Sequence, residues 1–305
     1  MPAKELSLNM RHRSHRSLAT LICAFAACAL LPSAAGAVVV GIGDPRASMF
    51  SDPAFANLNV HEARLGVPWD VAIKRSERKT LAADTTWLKA AESAGVTPLV
   101  SFGGNGNYIP TVGQYTSAVR AFMHRFPAVK QYTAWNEPDW AYRSLSRRPK
   151  LAASFFNALH RQCHGCVVLA GDVFLPAKQL GPWLRSYRAG LRYRPAGWAL
   201  HNYQDVRTHT TAQLRVLMSL TSGPIWLDEI SGVERRGHWQ YRNQSAAAAG
   251  RDESFLFSLA RRFRRVTRIY HYEWQGVTGA GWDSGLISPT GGKRPAYYVL
   301  KAAAR

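Results

Sequence analysis

The sequence is short of acid. Across 305 residues it carries 19 Asp and Glu against 39 Lys and Arg, 30 of them Arg, for a formal net charge of +20 at pH 7. Such an excess bears on solubility and on attraction to anionic partners, not on fold. Only 19% of the chain is charged while 47% is hydrophobic, a balance that excludes a disordered polyelectrolyte. Long apolar runs are missing too. The longest candidate, residues 18–31, has 14 residues, short of the ~20 that cross a bilayer. Two glycine signatures are absent: the first predicted strand runs into Asp44-Pro45-Arg46 rather than a dinucleotide fingerprint, and Gly103-Gly104-Asn105-Gly106-Asn107 lacks the Lys and Ser/Thr of a phosphate loop. Nucleotide chemistry is disfavoured. No low-complexity segment or linker divides the chain.

What is present begins with an export signal. Arg11, Arg13 and Arg16 precede the apolar run, and Ala35-Gly36-Ala37 puts small residues where a signal peptidase cuts. Residues 1–37 are expected to be a cleaved secretory signal peptide, leaving residues 38–305 as a secreted, extracellular chain without a membrane segment. The leader holds Lys4, the three Arg and Glu5, so the mature charge falls by 3 to +17. Of four Cys, Cys23 and Cys28 leave with it. Cys163 and Cys166 remain, and in an oxidising compartment a local disulfide is the simplest reading. A thioredoxin-like pair is disfavoured, because Cys-His-Gly-Cys lies between a helix and a strand start instead of opening a helix. A zinc site would crowd His160, Cys163, His164 and Cys166 into seven residues.

From Val38 onward, β-branched and aromatic runs alternate with amphipathic stretches. Eight strands are predicted at 38–43, 62–67, 97–102, 131–135, 167–171, 198–203, 225–229 and 268–274, with helices such as 81–94, 112–126, 151–163 and 245–263 between them. Eight units in a mature chain of this length average roughly 34 residues each, which fits a single-domain α/β fold, the (β/α)8 TIM barrel. A doubly wound open sheet is the alternative.

A barrel carries its chemistry at the C-terminal ends of its strands. The polar or aromatic residues there are Arg64, Asn105, Asn136, Glu137, Asp172, His201, Tyr203, Asp228, Glu229 and Trp274. Pro138 stops strand four directly after Glu137, which presents that carboxylate at the mouth. In strand seven, alternation places Glu229 on the face of Ile225 and Leu227; if those two fill the barrel, Glu229 sits above them and Asp228 points away. Glu273 is likewise out of phase with the mouth. Two facing carboxylates suit glycoside hydrolysis, one protonating the leaving oxygen while the other attacks the anomeric carbon or activates water.

These residues carry a resemblance. Trp135-Asn136-Glu137-Pro138, His201-Asn202-Tyr203, Glu229, Trp274, and the tail from Asp283-Ser284-Gly285-Leu286-Ile287 to Arg294-Pro295-Ala296-Tyr297-Tyr298 resemble clan A glycoside hydrolases. That clan comprises retaining (β/α)8 enzymes such as cellulases, mannanases and β-xylosidases. The resemblance implies Glu137 as acid/base, Glu229 as nucleophile, and Asn136 on the sugar 2-hydroxyl. It implies Tyr203 and Arg64 as partners of Glu229, His201 as a neighbour of Glu137, and Trp274 as the platform beneath the reacting sugar. A cation and a phenol beside Glu229 would favour its charged form, while the acid must keep its proton. The clan's mechanism requires no metal and no organic cofactor.

The remaining signals lie in loops. Trp69, Tyr108, Trp140, Trp239, Tyr241 and Trp282 could line sugar subsites. Arg143, Arg147, Arg207, Arg235 and Arg236 sit on loops expected at the mouth and raise acidic sugars as substrates, while further Arg clusters end helices, where cations suit the dipole. The expected partner is a polysaccharide or oligosaccharide, with an anionic cell-wall polymer as a further one and no specific nucleic acid. Two other functions stay open: a catalytically silent carbohydrate-binding barrel, and a basic exported protein that binds anionic wall polymers without chemistry.

Overall fold

A computed structural model describes residues 38–104, 106, 108–140, 145–236, 243–279 and 281–305. The predicted leader, Asn105, Arg143, Trp239, Tyr241 and the Arg236 side chain lie outside the described residues. β1 (Val39–Gly43), β2 (Glu62–Pro68), β3 (Thr97–Gly103), β4 (Gln131–Thr133), β5 (Val167–Val173), β6 (Gly197–Leu200), β7 (Ile225–Ile230) and β9 (Val266–Tyr272) pair in parallel, and β9 returns to β1 to close a barrel. β8 (Arg235–Arg236) and β10 (Trp282–Asp283) form a separate antiparallel pair in the loops after β7 and β9. The fold is a single (β/α)8 TIM barrel.

The helices are α1 (Pro53–Ala56), α2 (Arg78–Ser93), α3 (Val112–Arg125), α4 (Pro149–Gln162), α5 (Ala177–Ala189), α6 (Tyr203–Thr208), α7 (Ala212–Leu220), α8 (Ala246–Arg262) and α9 (Pro295–Ala303). Their starts are written in the sequence. Thr111 and Gln114 form a capping box at α3, Ser245 caps α8, and Pro149 and Pro295 open α4 and α9, where a missing N–H costs nothing. A disulfide joins Cys163 and Cys166 in the turn from α4 to β5. Among the described residues no helix is long and apolar enough to cross a membrane.

Two apolar layers hold these elements. The larger lies between strands and helices and includes Ile42, Leu65, Val100, Ile225, Leu227 and Ile269. The smaller fills the barrel itself with Leu99, Leu169, Ala199, Trp226 and Tyr270. Gly41 leaves room for the Tyr270 ring, since a Cβ there would stand 2.3 Å from its Cδ1. Arg268 lies 4.1 Å over the Trp226 ring and pairs with Glu62 at the floor.

The strands differ from the sequence expectation at β4, β6, β7 and β9, the last of which stops at Tyr272. β4 stops at Thr133, and β6 stops at Leu200, so Tyr203 heads α6 instead of ending a strand. The phase of β7 is reversed. Trp226 fills the barrel, whereas Ile225 and Leu227 face the helices, so simple alternation sends Asp228 inward. The ladder slips between Leu227 and Ile230, where β7 takes three steps to β9's two. This bulge, one extra residue, re-aims Glu229 to the mouth.

Candidate active site

Above the apolar barrel filling, the inward positions of β2 to β7 change to charged or hydroxyl side chains, while β1 leaves Gly43 between Arg64 and Tyr272 of β9. β2 contributes Arg64, β3 Ser101, β4 Thr133, β5 Asp172, the end of β6 His201 and β7 Asp228, and Arg64, Ser101, Thr133, Asp172, His201 and Asp228 are all buried. Asp172 turns inward through a second bulge: the β5 register shifts between Gly171 and Val173, and Asp172 takes φ +60°. That left-handed backbone is uncommon outside glycine. The Asp172 carbonyl accepts the N–H of Glu137 at 2.9 Å, and Glu137 itself has φ +46°. Two strained residues thus brace each other at the mouth, where such strain is characteristically stored.

Arg64 is the centre of this layer. Its Nη1 donates to Glu229 Oε2 at 2.6 Å, its Nη2 to Asn136 Oδ1 at 2.6 Å and to Asp172 Oδ1 at 3.4 Å, and its Nε lies 3.4 Å from Asp228 Oδ2. Burial alone would weaken its charge, but Glu229, Asp172 and Asp228 outweigh that and raise its pKa far above the ordinary arginine value. Tyr203 donates to Glu229 Oε1 at a longer 3.4 Å. Both Glu229 oxygens are therefore oriented, one tightly and one loosely.

His201 joins the two halves. Its Nδ1 lies 3.0 Å from Glu137 Oε1, and its Nε2 lies 2.6 Å from Asp172 Oδ1 and 3.6 Å from Asp228 Oδ1. Burial opposes a charge on the imidazole, yet the Glu229 and Asp172 carboxylates prevail and hold its pKa well above the usual value. Burial also acts on Asp172, but Arg64 and His201 overcome it and keep that carboxyl below the ordinary range. Ser101 and Thr133 hydroxyls fix it further, at 2.7 and 2.5 Å. Asp228 goes the other way, pushed up by burial and by the Asp172 charge.

The mouth opens into a cleft of ≈ 300 Å³ walled by Asp44, Arg64, Ser101, Asn136, Glu229 and Tyr272, at the small end of ligand sites. Glu137, Glu229, Asn136, Arg64, His201 and Tyr203 are brought together as the sequence placed them. Trp274 is not. Its ring is buried at 2% exposure, 5.7 Å edge-on to Phe55, and its indole donates to Asp52 at 3.3 Å. β9 ends at Tyr272, so the inward phase of Arg268, Tyr270 and Tyr272 does not extend to Trp274, and Tyr272 takes the cleft wall. Sequence reading gave Asp172 no role and set Asp228 aside; the β5 bulge that turns Asp172 inward leaves no pattern of its own, and Asp228 faces inward because Trp226 rather than Ile225 and Leu227 fills the barrel. Asp139 is spent on structure, accepting the N–H groups of Phe174 and Leu175.

Among the loop aromatics, Trp69 stacks on exposed Tyr108 with ring centroids 6.2 Å apart, Trp140 meets Phe174, and Trp282 meets Tyr203. Of the mouth arginines, Arg207 is paired with Asp252 and Arg235 with Asp283. Those two cations already face carboxylates, whereas Arg147 is exposed. Two groups offer three metal-ligand atoms within 4.8 Å of one another: Glu137, His201 and Glu229, and Asp172, His201 and Asp228. Arg64 already supplies positive charge to Glu229, Asp172 and Asp228, so a second cation there would meet a like charge.

Comparison with known proteins agrees with this geometry. A family profile described as a glycosyl hydrolase catalytic core matches residues 89–297. Among curated protein sequences none matches this chain. Among solved structures, a GH128 (subgroup I) endo-β-1,3-glucanase from Amycolatopsis mediterranei, in complex with laminaripentaose, superposes with a TM-score of 0.57 at 17% identity, covering 87% of this chain and 99% of that one. A GH5_18 protein from Streptomyces cattleya in complex with GlcNAc gives 0.64 at 13%, covering 88% and 79%. A GH10 endoxylanase retrieved from sugarcane soil metagenome gives 0.62 at 9%, covering 88% and 97%. At such identities the structural likeness speaks to the barrel alone.

Proposed function

Because this chain belongs to the family of glycosyl hydrolase catalytic cores, we propose that it is a secreted retaining glycosidase acting on a β-linked polysaccharide or oligosaccharide, with Glu137 as acid/base and Glu229 as nucleophile. The carrying observation is the spacing of the carboxylates. One oxygen of Glu137, one of Glu229 and a ring nitrogen of His201 all lie within 4.8 Å of one another. An inverting pair needs roughly 6.5–9.5 Å to hold a water between carboxylate and sugar, whereas a retaining pair stands at about 5–5.5 Å. The endo-acting neighbours, a β-1,3-glucanase and a xylanase by description, make a neutral β-glycan the favoured substrate. Residues 1–37 would direct export.

Glu137 donates its proton to the glycosidic oxygen, and the aglycone leaves as an alcohol. Glu229 Oε1, held more loosely than Oε2, attacks the anomeric carbon and forms an ester to the sugar. Water then gives a proton to Glu137 and displaces Glu229, restoring both groups. Four carboxyl groups, Glu137, Asp172, Asp228 and Glu229, face two cations, Arg64 and His201. Burial and the Asp172 charge make Asp228 the natural carrier of one proton, and the acid role requires Glu137 to carry another. With Asn136 Oδ1 accepting from Arg64, its amide NH2 is left to donate to a sugar hydroxyl.

The test is reducing-end release from β-1,3-glucan, β-1,4-glucan, mannan and xylan by the wild type, Glu137→Gln and Glu229→Gln. Turnover on one glycan that falls by a factor of 10³ or more in both variants is expected. Turnover that survives both changes would overturn the assignment.

A further inference from the structure

The charge of the chain is sorted by depth. Among the described acidic residues Glu92 alone is exposed; the others are buried or half-buried, while exposed Lys and Arg recur along the chain. At the foot of the barrel, the pole opposite the mouth where the helices end, Glu92 closes α2 as that one exposed acid, and from α4 onward the sorting is complete. From α4 to β9 that pole carries Arg161, Arg188, Arg192, Arg194, Arg262 and Arg264, all exposed. None of them forms an ion pair, and no exposed acid lies between them in the sequence.

One stretch of this pole is built as a site. The loop 190–196 is clamped at its start by Asn157, itself 8% exposed: its Nδ2 donates to the Gly190 carbonyl at 2.8 Å, and its Oδ1 accepts the Arg192 N–H at 2.8 Å. Next to Arg192 and Arg194, the Tyr193 ring stacks flat on His160, 4.6 Å away and 8° from parallel, and remains 37% exposed. On the loop's other side, Arg188, Arg194, Thr221 and Ser222 line a cleft of ≈ 570 Å³. Arg265 fixes its far rim by donating to the Gly223 carbonyl at 2.7 Å.

We propose that this foot binds a linear polyuronate, an acidic polysaccharide distinct from the substrate, and so holds the barrel with its mouth turned outward. Planar guanidinium groups pair with carboxylates in bidentate fashion. A flat ring lying against a second ring offers a sugar the apolar face it stacks on, and the Ser222 hydroxyl lines the cleft beside it, whereas that of Thr221 is spent on the Leu217 carbonyl and Arg265. A single strand of nucleic acid calls for a series of stacking rings along a groove, and this pole offers one. Insertion into a lipid surface needs an apolar face, and the exposed large apolar residues Val39, Ile73, Tyr108, Tyr193 and Tyr298 are too scattered in the sequence to form one there.

Affinity electrophoresis in gels containing polygalacturonate tests the proposal without any need for turnover. The wild type, Arg188→Gln/Arg194→Gln and Tyr193→Ala are compared with Arg75→Gln/Arg78→Gln, which removes two exposed cations at the start of α2, near the mouth. Wild-type retardation is expected to weaken at least tenfold between 50 and 500 mM salt, as about 10 Å of screening length at 0.1 M contracts. Each foot variant is expected to bind at least fivefold more weakly, and the α2 variant within twofold of wild type. Thermal melting checks that each variant folds, and Tyr193→Ala keeps the test open should the double variant fail to. Absence of retardation, equal weakening by the α2 variant, or equal or tighter binding of a DNA duplex or of phosphatidylglycerol vesicles would overturn it.

Discussion

Arg64 holds Glu229 with one nitrogen, Asn136 with another, and keeps Asp172 and Asp228 within ion-pair range. No other side chain spans that distance with a fork of donors, and lysine offers a single point charge. Arg64→Lys is therefore expected to lower kcat/KM at least 10²-fold on the substrate that the glycan panel identifies, as loss of an oriented donor does elsewhere. Tyr203→Phe removes the longer contact to Glu229 and should cost about tenfold or less, roughly the 1.4 kcal/mol of one modest hydrogen bond. The two carboxylates separate by chemistry. Glu137→Ala should still form the glycosyl-enzyme from aryl glycosides whose leaving group needs no proton but hydrolyse it slowly. Azide, a nucleophile that needs no base, should restore turnover as a glycosyl azide of retained anomeric configuration; Glu229→Ala should lose retaining turnover on every substrate.

The elements matter because they aim these residues, and the aiming is irregular. Asp172 reaches the interior only through the β5 bulge, in which Gly171 has φ +95° and a Cβ would stand 2.8 Å from the Ala199 carbonyl oxygen. Gly171→Ala is expected to destabilise the fold by about 1–3 kcal/mol, seen as a lowered urea midpoint. The same irregularity marks where sequence reading ends. The barrel, its eight strands and the presentation of Glu137 followed from period-two runs, a strand-stopping Pro138 and unit length, while Glu229 meets it through a bulge and not through the alternation that the sequence reading used. The face of β7 did not follow, because Ile225, Trp226 and Leu227 are all apolar and nothing in their types says that Trp226 fills the barrel. Trp274 was misplaced for a related reason: nothing in the run from Tyr272 to Trp274 reveals that the strand stops at the first. A one-residue bulge is set by neighbouring strands, and the chain alone does not display it.

At the scale of the molecule, acids lie inside and cations outside, and this sets the pH response. Burial pushes Asp84, Asp139 and Glu273 up to about 7; Glu77 adds to the rise at Asp84, while backbone N–H groups temper it at Asp139 and Arg46 tempers it at Glu273. A carboxyl raised in the folded state binds its proton more tightly there than in the unfolded chain, so stability present at about pH 4 is lost as pH rises towards 7. His201, also raised, acts in the same direction. Asp172, lowered, acts oppositely, its contribution fading only as pH falls below the unfolded value near 4. The melting temperature is therefore expected to peak on the acidic side and to fall between pH 5 and 8. Asp84→Asn should raise it at pH 8 and leave it nearly unchanged at pH 5; a wild-type curve rising from pH 5 to 8 would refute the assignment.

Retention is the central claim. Proton NMR of the first products from the glycan that turns over tests it most directly. The β-anomer of the new reducing end is expected to appear first and to mutarotate later to the mixture; the α-anomer appearing first would contradict a nucleophilic Glu229 and require a water between the two carboxylates.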